Sequence, residues 1–217
     1  MIPYKLLKSS AIFCVTFLLC IEIYAQVPNL GAVGDVVNIP NMFNTGIGED
    51  FNAGDADENY RYGANAAIVC NPNPFWMANT DVSRWISEFV HTNYAGGTHD
   101  FTYTFSLAGL DPETALITRR VAADNGIRIS LNDVEIMNNQ GNNFGAFIDF
   151  TIDDHFIEGE STIVFQVNNF GGEANPMGLR VEYDRTTATV VPEPSVYGLL
   201  SGILVFSLIV FNKRKIK

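Results

Sequence analysis

From Phe101 to Tyr183 the chain alternates apolar and polar residues with a period of two, and that period restricts it to sheet. Phe101, Tyr103, Phe105 and Leu107 alternate with Thr102, Thr104 and Ser106. Ile117, Arg119 and Val121 alternate with Leu116, Thr118, Arg120 and Ala122. The pattern returns at Ile127–Ile129–Leu131, Ala146–Ile148–Phe150–Ile152, Ile163–Phe165–Val167 and Leu179–Val181–Tyr183. Turn residues separate the runs: Ala108-Gly109-Leu110-Asp111-Pro112, Asn132-Asp133 and the polar loop Asn138 to Asn143. Asp124-Asn125-Gly126 accommodates positive φ and predicts a hairpin joining the strands on either side. Arg180, Glu182 and Asp184 point away from Leu179, Val181 and Tyr183, which predicts one wet sheet face. Seven or more strands without an amphipathic helix predict an all-β fold, an antiparallel β-sandwich.

Upstream of these runs, Gln26 to about Gly63 is rich in Gly, Asn and Asp and predicts short extended pieces joined by long loops. Ala66 to Val69 is a brief apolar run stopped by Asn71-Pro72-Asn73-Pro74, where two prolines exclude a central strand. Between residues 26 and 191, twenty-two acidic residues face seven arginines and no lysine. Such a surface repels nucleic acid and anionic lipid, so nucleic-acid binding is excluded; it favours solubility and neutral or cationic partners. Cys70 is the one cysteine in this stretch, so no intrachain disulfide forms there.

Both termini carry export features. Lys5 and Lys8 precede an apolar run from Ala11 to Ile21, and Ile23-Tyr24-Ala25 ends on a small residue. This predicts a signal peptide over 1–25, delivered to the Sec translocon and cut between Ala25 and Gln26. At the other end Pro192-Glu193-Pro194 is followed by an uncharged apolar run, about 195–211, and by Lys213, Arg214, Lys215 and Lys217. A helix of ~17 residues crosses a thin bilayer, and the basic end resists translocation. The predicted organisation is a signal peptide (1–25), an ectodomain (26–185), a linker (186–191) and a tail with a transmembrane helix (192–217).

Val191-Pro192-Glu193-Pro194-Ser195, Tyr197-Gly198-Leu199-Leu200 and the basic end together resemble the PEP-CTERM sorting signal of bacterial exported proteins. The resemblance implies that exosortase, a membrane-embedded cysteine protease, recognises the tail and cuts near Pro192-Glu193-Pro194. The protein would then reach the cell surface or extracellular matrix. The body has its own resemblance, carried by Phe101-Thr-Tyr-Thr-Phe-Ser-Leu-Ala-Gly-Leu-Asp-Pro, Ala122-Ala-Asp-Asn-Gly, Ile129-Ser-Leu-Asn and Asn175-Pro-Met-Gly-Leu-Arg-Val-Glu. Over roughly residues 40 to 185 it resembles the galactose-binding-domain-like jelly rolls found ahead of such tails. That implies a binding-type fold, and a structural Ca2+ in an early loop is common in it.

No catalytic constellation is visible: His91, His99 and His155 fall in no metal-protease spacing, and no Gly-x-Ser-x-Gly elbow occurs. Asp50, Asp55, Asp57 and Asn59 form the best cation cluster, with the first three EF-hand positions but Tyr60 and Ala66 where Gly and Glu belong. Sugar binding uses exposed aromatic faces beside amides or carboxylates, for which Tyr60, Tyr62, Trp76 and Tyr94 are the candidate rings. Asp124, Asn125, Asn168 and Asn169 are candidate hydrogen-bonding partners, whereas Trp85 suits the core. The resulting expectation is a non-enzymatic surface protein with a structural or adhesive role, associated with exopolysaccharide. The alternative is a calcium-dependent carbohydrate-binding module with a specific glycan.

Overall fold

The structure, a computed structural model, describes residues 30–47 and 52–192. Its contacts divide the chain into Met1–Gly31 and Ala32–Lys217; of the first unit only Leu30 and Gly31 are described, and the fold below belongs to the second. The predicted signal peptide with Ala25 and Gln26, the transmembrane helix, Glu193, Pro194, Lys213, Arg214, Lys215 and Lys217 all lie outside the described residues, as does Asp50.

Among the described residues thirteen strands form and no helix occurs. They are β1 (Val36–Asn38), β2 (Ala56–Tyr62), β3 (Asn65–Val69), β4 (Ile86–Ser87), β5 (Asn93–Tyr94), β6 (Gly97–Ser106) and β7 (Leu110–Asp124), then β8 (Gly126–Leu131), β9 (Val134–Asn139), β10 (Ile148–Ile152), β11 (Glu160–Asn169), β12 (Asn175–Pro176) and β13 (Gly178–Val190). Every pairing is antiparallel. One hydrogen-bonded path, β10-β7-β13-β4-β3-β2-β6-β11-β8-β9 with β1 on β13, folds over on itself as a sandwich, and β5 and β12 make a separate small ribbon.

The alternating apolar residues meet between the two layers. Phe150 of β10 packs edge-on against Phe165 of β11, and Tyr103 of β6 lies tilted against Tyr183 of β13. Phe101, Phe105, Ile117, Val121, Ile127, Ile129, Ile163, Val167, Leu179 and Val181 complete this core. Each such side chain contributes ~1.5–3 kcal/mol on burial, so the period-two pattern supplies most of the fold's driving force.

Three local expectations differ from the structure. Asp124-Asn125-Gly126 is not a hairpin: β7 pairs with β10 and β13, whereas β8 pairs with β11 and β9. Asn125 carries the chain between layers, and Asn168, Asn143 and Phe170 take up its hydrogen-bonding groups. The face bearing Arg180 and Glu182 is not wet, because the strap 71–85 crosses it and buries both; only Asp184 stays exposed. Residues 186–190, expected in a linker, extend β13, where Thr187–Thr189 pairs with β1.

β13 fixes the long axis. Its 13 residues span ~40 Å from Gly178 at one pole to Val190 at the other. Asp124, Gly126, Asn169, Gly97 and the β5–β12 ribbon share the Gly178 pole. The β1–β13 pairing, Gly34 on Val190 and the exit at Val191 occupy the opposite pole.

Candidate functional site

At the Gly178 pole five aromatic rings form a continuous row. Tyr62 at the end of β2 stacks on His99 of β6, with centroids 6.1 Å apart, and its hydroxyl lies 2.8 Å from His99 Nδ1 in a hydrogen bond. His99 meets Tyr94 edge to face at 5.7 Å. Tyr94 lies parallel to Phe89 at 6.2 Å, and His91 closes on Phe89 at 5.5 Å. Phe89 is 48% exposed and His91 is also open, so the outer end of this ledge faces solvent.

The ledge is held rigidly. Phe89 N–H donates to the Tyr94 hydroxyl at 2.7 Å, and that hydroxyl donates to His91 O, closing residues 89–94 into a small ring. Asn169 Nδ2 donates to the carbonyls of Tyr94 and Ala95, and β5 is paired to β12. Burial and the neighbouring Glu88 push the Tyr62 phenol up to about 12, so at neutral pH it remains a hydrogen-bonding hydroxyl. Preorganised aromatic faces with a carboxylate alongside suit a pyranose, whose CH patches stack while its hydroxyls reach polar groups.

The remaining sequence candidates are placed differently. Tyr60 is fully buried, packed on Tyr103, with its hydroxyl donating to Phe43 O. Trp76 is buried in the strap, tilted against Trp85 with centroids 4.4 Å apart, and its Nε1 donates to Asp124 Oδ2 at 2.7 Å. Neither ring presents a face to solvent. Tyr94 is largely covered and acts as the lock of the ledge, while Tyr62 is half-buried at its inner end. Asn168 Nδ2 donates to Gln140 Oε1, so Asn168 and Asn169 tie loops together.

Of the cation cluster, Asp55, Asp57 and Asn59 are described, and they occupy different surroundings. Asp57 is buried in β2, where Oδ2 accepts from Gly46 N–H at 2.7 Å and Oδ1 from Asn59 N–H at 3.0 Å. Burial pushes its carboxyl up, against the pull of these amides. Asp55 is exposed, its Oδ2 capping Asn52 N–H, and Asn59 lines a shallow groove of about 200 Å³ with Glu58, Arg61 and Thr102. Among the described residues no group of three His, Cys, Asp or Glu side chains is placed to hold a metal. Burial pushes the Cys70 thiol up to about 12, which leaves it unreactive.

A second concave feature lies on the outer face of β10, β7 and β13, beside the strap. Arg180 Nε donates to Ser83 Oγ, its Nη1 to Ala78 O, and its Nη2 to Thr80 Oγ1 and Glu182 Oε1. Glu182 also accepts from Ser83 Oγ and from Arg120 Nε. Burial raises the Glu182 carboxyl, but Ser83 and the two guanidiniums outweigh it and hold the group below its usual value. Two adjoining clefts open here, of about 410 and 350 Å³.

Phe89, His91, His99 and Glu88 were not singled out for sugar binding in the sequence. Phe89 and Val90 resemble core residues there, and only the turn Asn93-Tyr94-Ala95-Gly96-Gly97 marks the neighbourhood as a loop.

No family model matches the chain, and no curated protein matches it. Solved structures show distant similarity. The secreted serine protease VesC from Vibrio cholerae aligns at 13% identity and TM-score 0.35, over 60% of this chain and 28% of that one. A family 35 carbohydrate binding module from an environmental isolate aligns at 13% identity and TM-score 0.30, over 73% of this chain and 99% of that one. The CBM36-1 domain of a multidomain xylanase from the hindgut metagenome of Trinervitermes trinervoides gives 14% and 0.27, over 68% and 94%. None of these likenesses assigns the chain to a family.

Proposed function

We propose that this chain is an exported surface protein whose sandwich binds polysaccharide through the Tyr62–His99–Tyr94–Phe89–His91 ledge. The observation that carries the reading is a row of rings, fixed by hydrogen bonds at its inner end and open to solvent at Phe89 and His91. The role is binding and adhesion rather than turnover. Calcium has no part in it: Asp57 is buried with its oxygens on backbone amides, while Asp55 stays exposed beside it in sequence. The acidic surface disfavours polyanions, so the expected partner is a neutral extracellular polysaccharide. The tail reading supplies the destination: exosortase releases the domain near Pro192-Glu193-Pro194 after export.

Affinity electrophoresis of the mature protein through gels containing neutral or uronate polysaccharides tests the binding. Retardation by at least one neutral polymer, lost on Phe89→Ala with His91→Ala, is the expected result. Unretarded migration in every gel overturns the reading.

A further inference from the structure

We propose that the groove across β10, β7 and β13 is a second, independent site for a neutral sugar unit, which makes the domain bivalent. The inference rests on the glycan-binding reading above but on none of the ledge residues. Cross-strand register sets Asp149, Arg120 and Glu182 side by side on the outer face, with Thr151 beside Thr118 in the next row. Arg120 is held by Glu182 through two nitrogens, so its charge is already answered. Asp149, Thr151 and Asp184 make no side-chain hydrogen bond or ion pair to the described residues, and Thr118 Oγ1 is buried without a partner. The free carboxylates of Asp149 and Asp184 and the hydroxyl of Thr151 therefore line a cleft of about 410 Å³.

The rim is apolar. Val82, 53% exposed, projects from the strap between the two clefts, and Phe147 with Met77 lines the neighbouring one. An apolar wall over a floor of acceptors matches the two faces of a sugar ring. A shared cation does not fit. Among the described residues no three His, Cys, Asp or Glu side chains converge to hold a metal, whereas Ca2+ draws on several oxygens at ~2.3–2.6 Å. The two free carboxylates of Asp149 and Asp184 repel a uronate. The two sites use different parts of the molecule, so one domain can hold two chains and gain avidity.

Amide-resolved NMR titration of the mature protein with cello-, xylo- and galacto-oligosaccharides and with oligogalacturonate tests this. At least one neutral oligosaccharide is expected to shift the amides of Thr118, Arg120, Asp149 and Thr151. The shifts should persist in the Phe89→Ala, His91→Ala protein and weaken at least tenfold in Asp149→Ala with Thr151→Ala, while oligogalacturonate leaves the groove unmoved. Shifts confined to residues 88–99 overturn the second site and spare the ledge. Silence at both places overturns both, and equal groove shifts with oligogalacturonate overturn the neutral specificity.

Discussion

Arg119 follows the alternation that groups it with Ile117 and Val121, and so carries a charge into the core. It points inward between the layers, surrounded by Tyr60, Tyr103, Phe165 and Tyr183, with Nε and Nη1 unpartnered. Burial pulls its guanidinium down to about 9. A base whose folded value is depressed costs stability throughout neutral pH, and stability recovers as pH rises above about 9. Cation–π contacts offset part of that cost. Arg119→Met should therefore raise stability by ~1–2 kcal/mol in urea titrations and flatten the rise above pH 9; a loss of stability would show the rings more than compensate. Gly178 makes the opposite case. A Cβ there would meet the Trp76 ring at 2.8 Å, so Gly178→Ala should displace Trp76, cost ~1–3 kcal/mol and change tryptophan fluorescence.

Among the elements, the strap 71–85 does most to turn a two-layer sandwich into a molecule with defined clefts. Glu182 is held below the usual carboxylate value, so its contribution is complete above that value and is lost as pH falls through the lower folded one. Hydrogen exchange of the strap amides should accelerate in that acid window. Glu182→Gln should reproduce the acceleration at neutral pH at a cost of ~2–4 kcal/mol, because Ser83, Arg120 and Arg180 lose a charged acceptor. The strand cores were legible in the sequence, since β6, β7, β8, β10, β11 and β13 each contain a period-two run, but their ends were not: β7 begins inside the expected turn at Leu110, and β13 runs on to Val190. The strap was not. Its prolines mark a loop, but nothing local says that the loop lies over Arg180 and Glu182. Asp124-Asn125-Gly126 misleads for a related reason: turn residues permit a reversal, and only long-range pairing decides whether the next strand stays in the same layer. Tyr60 and Trp76 look like exposed rings because they sit near loops; burial against Tyr103 and Trp85 is a tertiary fact.

For the whole molecule, the ledge and the chain exit at Val191 stand at opposite ends of a ~40 Å axis. The ledge therefore lies at the end of the domain farthest from Pro192, where the proposed processing takes place, so cutting there leaves it untouched. Replacing Glu193, or Pro192 and Pro194 together, should leave unprocessed precursor in the membrane on immunoblots of fractionated cells; normal release of such variants would remove the sorting part of the account. Side-by-side binding isotherms isolate the contribution of the ledge. The polysaccharide that retards the mature protein would be titrated against that protein, against Phe89→Ala and against Ile157→Ala, an exposed apolar change remote from the ledge. Phe89→Ala should bind at least tenfold more weakly, by about 1.4 kcal/mol, with Ile157→Ala unchanged. Equal affinities for all three proteins would rule the ledge out as the binding site.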